Sequence, residues 1–359
     1  MPLDRLPVRR YLRRTKSENY GDVMSAYLIQ IEKPEKVSLV GIARLASKGE
    51  SLREGHDVEY FTLPARSLLN RCTSERVPFT WTINPYRGCE FACKYCYARY
   101  THEFMEMRDG IDFERKIYVK QQTAWLLRQE LGKVRPGEEI AIGTATDPYQ
   151  PAERRFEITR SILQEMAQHR GLEIGIVTKS DMVVRDIDVL REVAKHNSLF
   201  INLTVTTVNS RLARILEPRA PSPDLRLKAV STLVQAGLNA GVICAPVLPG
   251  ITDSPTALEK LVKAAKEAGG KYIYANALFL KPCSASVFLP FLEKEFPQLV
   301  PEYRKRFGER SFVSKAYAKR LSELMASLRK KHGIVKQVVD RKAVSSEYRV
   351  QDLQMEMFG

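Results

Sequence analysis

Residues 84–97 read NPYRGCEFACKYCY and contain three of the six cysteines of the chain. Cys89, Cys93 and Cys96 stand at positions i, i+4 and i+7, a spacing at which three thiolates can close around a cubic iron–sulfur cluster. Clusters in electron carriers are normally held by four thiolates, one for each iron. The spacing therefore predicts a cluster with one iron open to something other than protein, which indicates a catalytic site.

Length and cysteine distribution predict a cytoplasmic protein. The 359 residues favour one large domain with extensions, or two domains. The N-terminus lacks the apolar segment of a signal peptide and no long uncharged apolar run follows, so we expect no membrane contact. Cys72, Cys244 and Cys283 are scattered, which favours a metal site in a reducing compartment over disulfide bonds.

The formal net charge of +15 indicates an anionic partner. Basic residues cluster near both ends of the chain, at Arg9, Arg10, Arg13, Arg14 and Lys16, and at Arg304, Lys305, Arg306, Arg310, Lys315, Lys319, Arg320, Arg329, Lys330 and Lys331. Such flanks suit a nucleic acid or a phosphorylated metabolite. Solubility alone is the alternative explanation of the charge, and a protein or peptide substrate also stays open.

Residues 79–280 alternate short β-branched runs with amphipathic stretches, which is typical of βα units on a parallel sheet. We predict strands at residues 79–84, 139–144, 173–178, 199–206, 240–246 and 271–277, and helices at 121–131, 159–169, 184–196, 224–236 and 256–268. The pattern predicts an α/β fold, a partial (β/α)6 barrel at residues 79–280. A basic N-terminal extension (1–78) and a mostly helical, basic C-terminal extension (281–359) flank it.

Functional residues of such barrels gather on the loops at the carboxyl ends of the strands, and here those loops are polar. The loop after the second strand, GTATDPYQPAE at 143–153, contains two prolines that exclude a helix, so Asp147 is presented by a constrained loop. The third strand runs into Lys179, a candidate carboxylate partner. The fourth ends in the hydroxyls of Thr204 and Thr206, which suit a ribose or a helix cap.

The cysteine spacing, with Tyr95 before the last cysteine, resembles the signature of the radical S-adenosylmethionine (SAM) enzymes. A further resemblance, over roughly residues 79–280, is to the spore photoproduct lyase family and its uncharacterised bacterial relatives. Tyr95, Tyr97, TDPYQP at 146–151, TKS at 178–180 and EPR at 217–219 carry it. It implies a [4Fe–4S] cluster whose open iron binds the amino and carboxylate groups of SAM. One electron from an external reductant then cleaves SAM to methionine and a 5′-deoxyadenosyl radical that abstracts hydrogen from the substrate.

The resemblance also implies which residues contact SAM. The expected contacts are Tyr95, Gly143, Thr144, Asp147, Lys179, Thr206 and Asn209. Tyr95 would lie against the adenosyl group, Lys179 would pair with the methionine carboxylate, and Thr206 and Asn209 would bind the ribose. The 143–147 loop stands in place of the Gly-Gly-Glu triplet that many superfamily members use for the methionine amine.

One departure concerns the hydrogen donor. The resemblance to thymine-dimer repair implies a cysteine on the loop after the second strand, yet no cysteine occurs between Cys96 and Cys244. The resemblance therefore does not extend to spore DNA repair. Tyr97 and Tyr149 become the candidate hydrogen donors, and packing is the alternative role for each.

A Cys3His zinc site that adds His102 to the three cysteines, within a nucleic-acid-binding module without catalysis, is the alternative prediction. Structural zinc ligands usually come as two separated pairs, and zinc leaves the six strand–helix units unexplained. A dinucleotide-dependent oxidoreductase is less consistent still, because no Gly-x-Gly-x-x-Gly follows a strand.

Overall fold

The computed structural model describes residues 39–54, 57–73 and 77–335. The basic cluster between Arg9 and Lys16 lies outside these ranges, as do residues 336–359 of the predicted C-terminal extension. Every helix in the described ranges is too short or too polar to cross a lipid bilayer.

Short strands and helices alternate along the described chain. The strands are β1 (Ser51–Glu54), β2 (Glu59–Leu63), β3 (Leu69–Arg71), β4 (Trp81–Ile83), β5 (Tyr86–Arg87), β6 (Lys116–Lys120), β7 (Glu139–Ile142), β8 (Glu173–Thr178), β9 (Ser198–Thr204), β10 (Ala240–Val247) and β11 (Ile273–Ala277). The α-helices are α1 (Gly41–Ser47), α2 (Tyr100–Glu103), α3 (Asp112–Arg115), α4 (Thr123–Glu130), α5 (Glu153–Phe156), α6 (Ile158–Met166), α7 (Ile187–His196), α8 (Ser210–Leu216), α9 (Pro223–Gln235), α10 (Pro255–Glu267), α11 (Pro282–Glu295), α12 (Val300–Phe307) and α13 (Lys315–His332).

The main sheet has seven strands in the order β11-β10-β9-β8-β7-β4-β3. Six of these strands pair in parallel, namely β4, β7, β8, β9, β10 and β11. The seventh strand, β3, pairs antiparallel with β4 at the edge of the sheet. These six are the six predicted strands. The sheet ends at β11 and at β3 without closing, so the predicted partial barrel is confirmed.

Side chains alternate along the strands between an apolar face of the sheet and a face with smaller or more polar residues, because successive side chains of a strand point to opposite sides. Ile174, Ile176, Ile201 and Leu203 are buried in the main hydrophobic core together with residues of the helices between the strands. The intervening positions are small or polar, as at Gly175, Asn202, Thr204 and Gly241. Of these four residues, Thr204 lines a cavity on this face, whereas the ring of Tyr272 packs over Gly241 and its hydroxyl donates to Asn202.

A second sheet, which the sequence did not predict, has the order β1-β2-β6-β5. β5 pairs antiparallel with β6, and Arg87 lies opposite Tyr118. β5 directly precedes the first cysteine, and the backbone N–H of Cys89 donates to the carbonyl of Phe113 at 2.9 Å. The second sheet and the segment before β6 therefore anchor the start of the cysteine segment.

The described part of the C-terminal segment is helical. α13 packs on α10 and β11, and Tyr317, Leu321, Met325 and Leu328 join the main core. Several basic residues of this segment already form ion pairs, namely Arg304 with Glu293, Arg306 with Glu302, Lys319 with Glu323 and Lys331 with Glu259.

Candidate active site

A cavity of about 280 Å³ lies at the carboxyl ends of the parallel strands. Most of the predicted site residues line it, namely Cys89, Cys93, Cys96, Tyr95, Tyr97, Gly143, Thr144, Asp147 and Lys179. They come from the loops after β4, β7 and β8, which the parallel sheet brings to one edge. Tyr149, Thr206 and Asn209 are not part of its wall.

The cysteine loop has a backbone that its sequence dictates. Gly88 has φ +85°, and a Cβ there would lie 2.7 Å from the carbonyl oxygen of Lys116, so only glycine fits. Arg99 is buried, donates to the carbonyl of Cys93 at 3.0 Å and pairs with Glu114 at 2.7 Å. Burial raises the pKa of the Cys93 thiol to about 12, and it also raises the pKa of Cys89.

The donor set fits a three-thiolate cluster. All three cysteines are free of disulfides, and no fourth cysteine lines the cavity. A cubic cluster spreads its thiolate ligands over different irons, whereas a single ion needs its ligands to converge on one point. Within the described ranges, no group of three or more His, Cys, Asp or Glu residues converges in that way.

His102, the fourth ligand of the zinc alternative, does not line the cavity. Its Nε2 lies 3.0 Å from the carbonyl oxygen of Lys116, and its ring packs edge-on against Phe113 at 5.3 Å. Burial lowers its pKa to about 4. His102 is therefore a neutral packing residue behind the cysteine loop, and the zinc alternative has no support.

Asp147 ties the loop after β7 to the loop after β8. Its Oδ1 accepts hydrogen bonds from the hydroxyl of Thr178 at 2.6 Å and from the N–H of Tyr149 at 3.0 Å. Its Oδ2 accepts from the N–H of Lys179 at 2.7 Å. Burial raises the pKa of Asp147, while these donors oppose the rise. Because three donors occupy the carboxylate, its clearest role is to position Lys179.

The TDPYQP motif braces the cysteine loop, a role that the sequence did not reveal. The hydroxyl of Thr146 donates to the carbonyl of Gly88 at 2.6 Å, and the amide of Gln150 donates to the same oxygen at 3.2 Å. The amide oxygen of Gln150 accepts from the N–H of Glu90 at 3.0 Å. Buried polar residues between two prolines were the signal that could have indicated this role.

Glu217 is the functional residue that sequence reasoning missed, although its EPR motif was noticed. Its Oε1 accepts from the hydroxyl of Tyr95, and also from the hydroxyl of Thr206 at 2.7 Å. Its Oε2 lies 2.5 Å from Arg226, and both side chains of this pair are 1% exposed. Burial opposes the charge of Glu217, yet Arg226 and Lys179 lower its pKa below the ordinary value.

Lys179 and Tyr95 face each other across this network. The Nζ of Lys179 lies 5.7 Å from the ring centre of Tyr95, within cation–π range. Burial disfavours the ammonium, but the carboxylates of Glu217 and Asp147 supply negative charge, and the pKa of Lys179 is raised from its ordinary value. Lys179 is therefore a cation at neutral pH, held at the cavity wall.

The remaining predicted residues have other positions. Thr206 lies behind Tyr95, with their hydroxyls 3.0 Å apart. Asn209 is exposed and caps α8 by accepting from the N–H of Leu212 at 3.1 Å. Tyr149 is fully buried in the main core, whereas Tyr97 lines the cavity and donates to the carbonyl of Thr144. These positions give no support to a ribose contact of Asn209 or to hydrogen delivery by Tyr149.

Comparisons with known proteins show the family of this chain. The family model described as Radical SAM superfamily matches residues 83–262. An uncharacterised protein of Mycobacterium tuberculosis is 33% identical over 275 residues, which cover 76% of this chain and 80% of that protein. One of Methanocaldococcus jannaschii is 29% identical over 218 residues, with coverages of 61% and 77%.

Solved structures share the fold. A variant of spore photoproduct lyase superposes with a TM-score of 0.60 at 16% identity, and covers 78% of this chain and 82% of its own. Spore photoproduct lyase complexed with dinucleoside spore photoproduct gives a TM-score of 0.59 at 17% identity, with the same coverages of 78% and 82%. At this identity the likeness shows the fold alone.

Proposed function

The chain belongs to the radical SAM superfamily and is a radical SAM enzyme, and from this premise we propose that Cys89, Cys93 and Cys96 hold a [4Fe–4S] cluster whose open iron binds SAM. The cluster would supply the electron that cleaves SAM to a 5′-deoxyadenosyl radical, which abstracts hydrogen from the substrate. One observation carries the proposal: three free thiols line one cavity with no fourth cysteine, together with the half-buried cation Lys179.

Lys179 is the proposed partner of the methionine carboxylate. Its main chain is fixed by Asp147 at 2.7 Å, and its ammonium lies at the cavity wall with a raised pKa. A fixed cation of this kind forms a charge-assisted bond to a carboxylate with little loss of entropy, because the protein orients it before the ligand arrives. Tyr95, oriented by Glu217, offers its ring to the adenosyl group from the neighbouring wall.

An apolar wall would shield the reaction from water. Five large apolar side chains line the cavity, namely Phe79, Phe91, Phe113, Leu278 and Phe279. Water exclusion strengthens electrostatic contacts within a site and prevents side reactions of reactive species.

Tyr97 is the proposed hydrogen donor, because it lines the cavity and Tyr149 does not. Burial raises the pKa of Tyr97 well above its ordinary value, so its hydroxyl keeps the hydrogen at neutral pH. The hydroxyl is held by the carbonyl of Thr144. A Tyr97→Phe enzyme that still returns hydrogen to product at the wild-type rate would remove this role.

The substrate class that we propose is a nucleic acid, motivated by the net charge of +15 and by the basic residues between Arg304 and Lys331. Protein and metabolite substrates are the other outcomes. Candidate substrates carrying deuterium, incubated with the reduced enzyme and SAM, distinguish them, because only a true substrate transfers deuterium into 5′-deoxyadenosine.

The cluster assignment is tested by Cys93→Ala, with Cys244→Ala as the matched control. Cys244 is fully buried on β10 and does not line the cavity. We expect about four irons and four sulfides in the reconstituted wild type and in the control. Cys93→Ala should lose cofactor cleavage, measured as 5′-deoxyadenosine by chromatography. Full cleavage by that variant would refute the assignment.

A further inference from the structure

Two basic side chains lie side by side on the second sheet, Arg87 on β5 and Lys120 on β6. Arg87 stands opposite Tyr118 in the antiparallel pair, and Lys120 is two residues further along the same face. Diagonal neighbours of this kind are within reach of long side chains. Lys120 is 6% exposed, and Arg87 is partly buried.

Neither cation has an acidic partner in the described part of the chain. No ion pair joins Arg87 or Lys120 to a carboxylate, and the Nε of Arg87 is buried without a hydrogen-bond partner. Glu130 acts on Lys120 electrostatically, but its carboxylate accepts from the N–H groups of Leu68 at 2.9 Å and Leu69 at 2.8 Å.

Two neighbouring buried cations destabilise a protein unless an anion compensates them. Burial and the charge of Arg87 together lower the pKa of Lys120 to about 7, against the effect of Glu130. Without a ligand, the charged form of Lys120 is therefore disfavoured near neutral pH. An anion between the two side chains would favour the charged form of Lys120 and accept a hydrogen bond from the Nε of Arg87.

The pair lies next to the wall of the cavity. Arg87 donates to the carbonyl of Thr101 at 3.3 Å, in the helix that begins with Tyr100. A third cation, Lys281, lies 4.3 Å from the ring centre of Tyr100 and 6.0 Å from that of Phe279. Arg87 is two residues before Cys89, which lines the cavity, so an anion held by Arg87 would lie near the site of the chemistry.

We propose that Arg87 and Lys120 form a binding site for a phosphate group of the substrate. A guanidinium fork and an ammonium together match the charge and the several acceptor oxygens of a phosphate better than those of one carboxylate. That the phosphate belongs to the substrate rests on the proposed function. Phosphate binding itself does not, because it needs neither the cluster chemistry nor SAM cleavage.

The test is calorimetric titration of the reconstituted full-length enzyme with inorganic phosphate at constant ionic strength. Arg87→Gln and Lys120→Met should each weaken binding about tenfold or more, the loss expected for a charge-assisted bond. The control is Lys116→Gln on the same strand, whose partly exposed pair with Asp112 at 3.0 Å lies outside the site. It should bind as the wild type does.

Thermal melting without phosphate separates a ligand site from a structural role. Lys120→Met should melt above the wild type, because it removes an uncompensated buried cation. A wild type that binds no phosphate, equal binding by Lys120→Met, or a lower melting temperature of Lys120→Met would each overturn the proposal. Dimethyl phosphate in a parallel titration distinguishes a diester from a monoester source. SAM cleavage by the wild type, measured separately, tests the proposed function alone.

Discussion

Replacing Glu217 by glutamine should destabilise the protein strongly, although the two side chains have the same shape. Glu217 and Arg226 are each 1% exposed and lie 2.5 Å apart. Glutamine leaves the guanidinium without a negatively charged partner, beside the carbonyl oxygens of Pro221 and Thr204 at 2.8 Å and 3.0 Å. Breaking a buried pair by removing one partner typically costs about 3–5 kcal/mol.

The measurement is urea unfolding under anaerobic, reducing conditions, with the free energy of unfolding taken from midpoint and slope. The control, Glu192→Gln, breaks an exposed pair with Lys195 and should lose less than about 1 kcal/mol. The double variant Glu217→Gln/Arg226→Met should recover at least half of the loss, because it leaves no unpaired charge. A loss below about 1 kcal/mol for Glu217→Gln, or a double variant no more stable than the single one, would refute the reasoning.

The same pair predicts an acid dependence. The pKa of Glu217 is lowered from its ordinary value of 4.5 in the folded protein. Its ionisation therefore contributes stability that is complete above the unfolded-state pKa and is lost as the pH falls through the folded-state pKa. The glutamine variant should lack this part of the pH dependence.

Three further outcomes are expected. Lys179→Ala should weaken SAM binding roughly tenfold to hundredfold, because it removes a charge-assisted hydrogen bond of about 1.5–3 kcal/mol. An unchanged dissociation constant for SAM would show that Lys179 is a solvated residue at the rim of the cavity. Gly143→Ala should lower the melting temperature more than Gly171→Ala. Both glycines have positive φ, but only at Gly143 would a Cβ meet a backbone atom, the carbonyl oxygen of Val177 at 2.5 Å. Equal losses of melting temperature in differential scanning calorimetry would contradict this. Nucleic-acid affinity should fall linearly with salt concentration on a log–log plot, with a slope of about 0.7–0.9 per phosphate contacted. Lys305→Glu should make this slope less steep. If no binding is detected at low salt, the net charge serves solubility only.

Local patterns in the sequence were sufficient to predict the barrel. Short β-branched runs between amphipathic stretches located all six parallel strands, and the strand at Glu173–Thr178 has the predicted bounds. Such patterns depend on neighbours within a few positions of the chain, so they can be seen without knowledge of the fold. The cysteine spacing is local in the same sense, and it determined the family.

The second sheet could not be predicted in that way. β5 has two residues and β1 has four, and each forms only because another strand arrives beside it. Strands this short have too few residues to show a period. The sequence therefore did not indicate that a second sheet pairs with the segment just before the cysteines.

What the sequence by itself determined is the chemistry, because three thiols at a fixed spacing and polar loops after parallel strands are local features. Only the tertiary structure decided the roles of individual residues. Asn209 is a helix cap and Tyr149 is core, whereas Glu217 lies 2.5 Å from Arg226 and holds Tyr95. Tyr95 and Glu217 are 122 residues apart in the chain, and whether a polar side chain meets a ligand or a buried partner depends on what the fold brings to it.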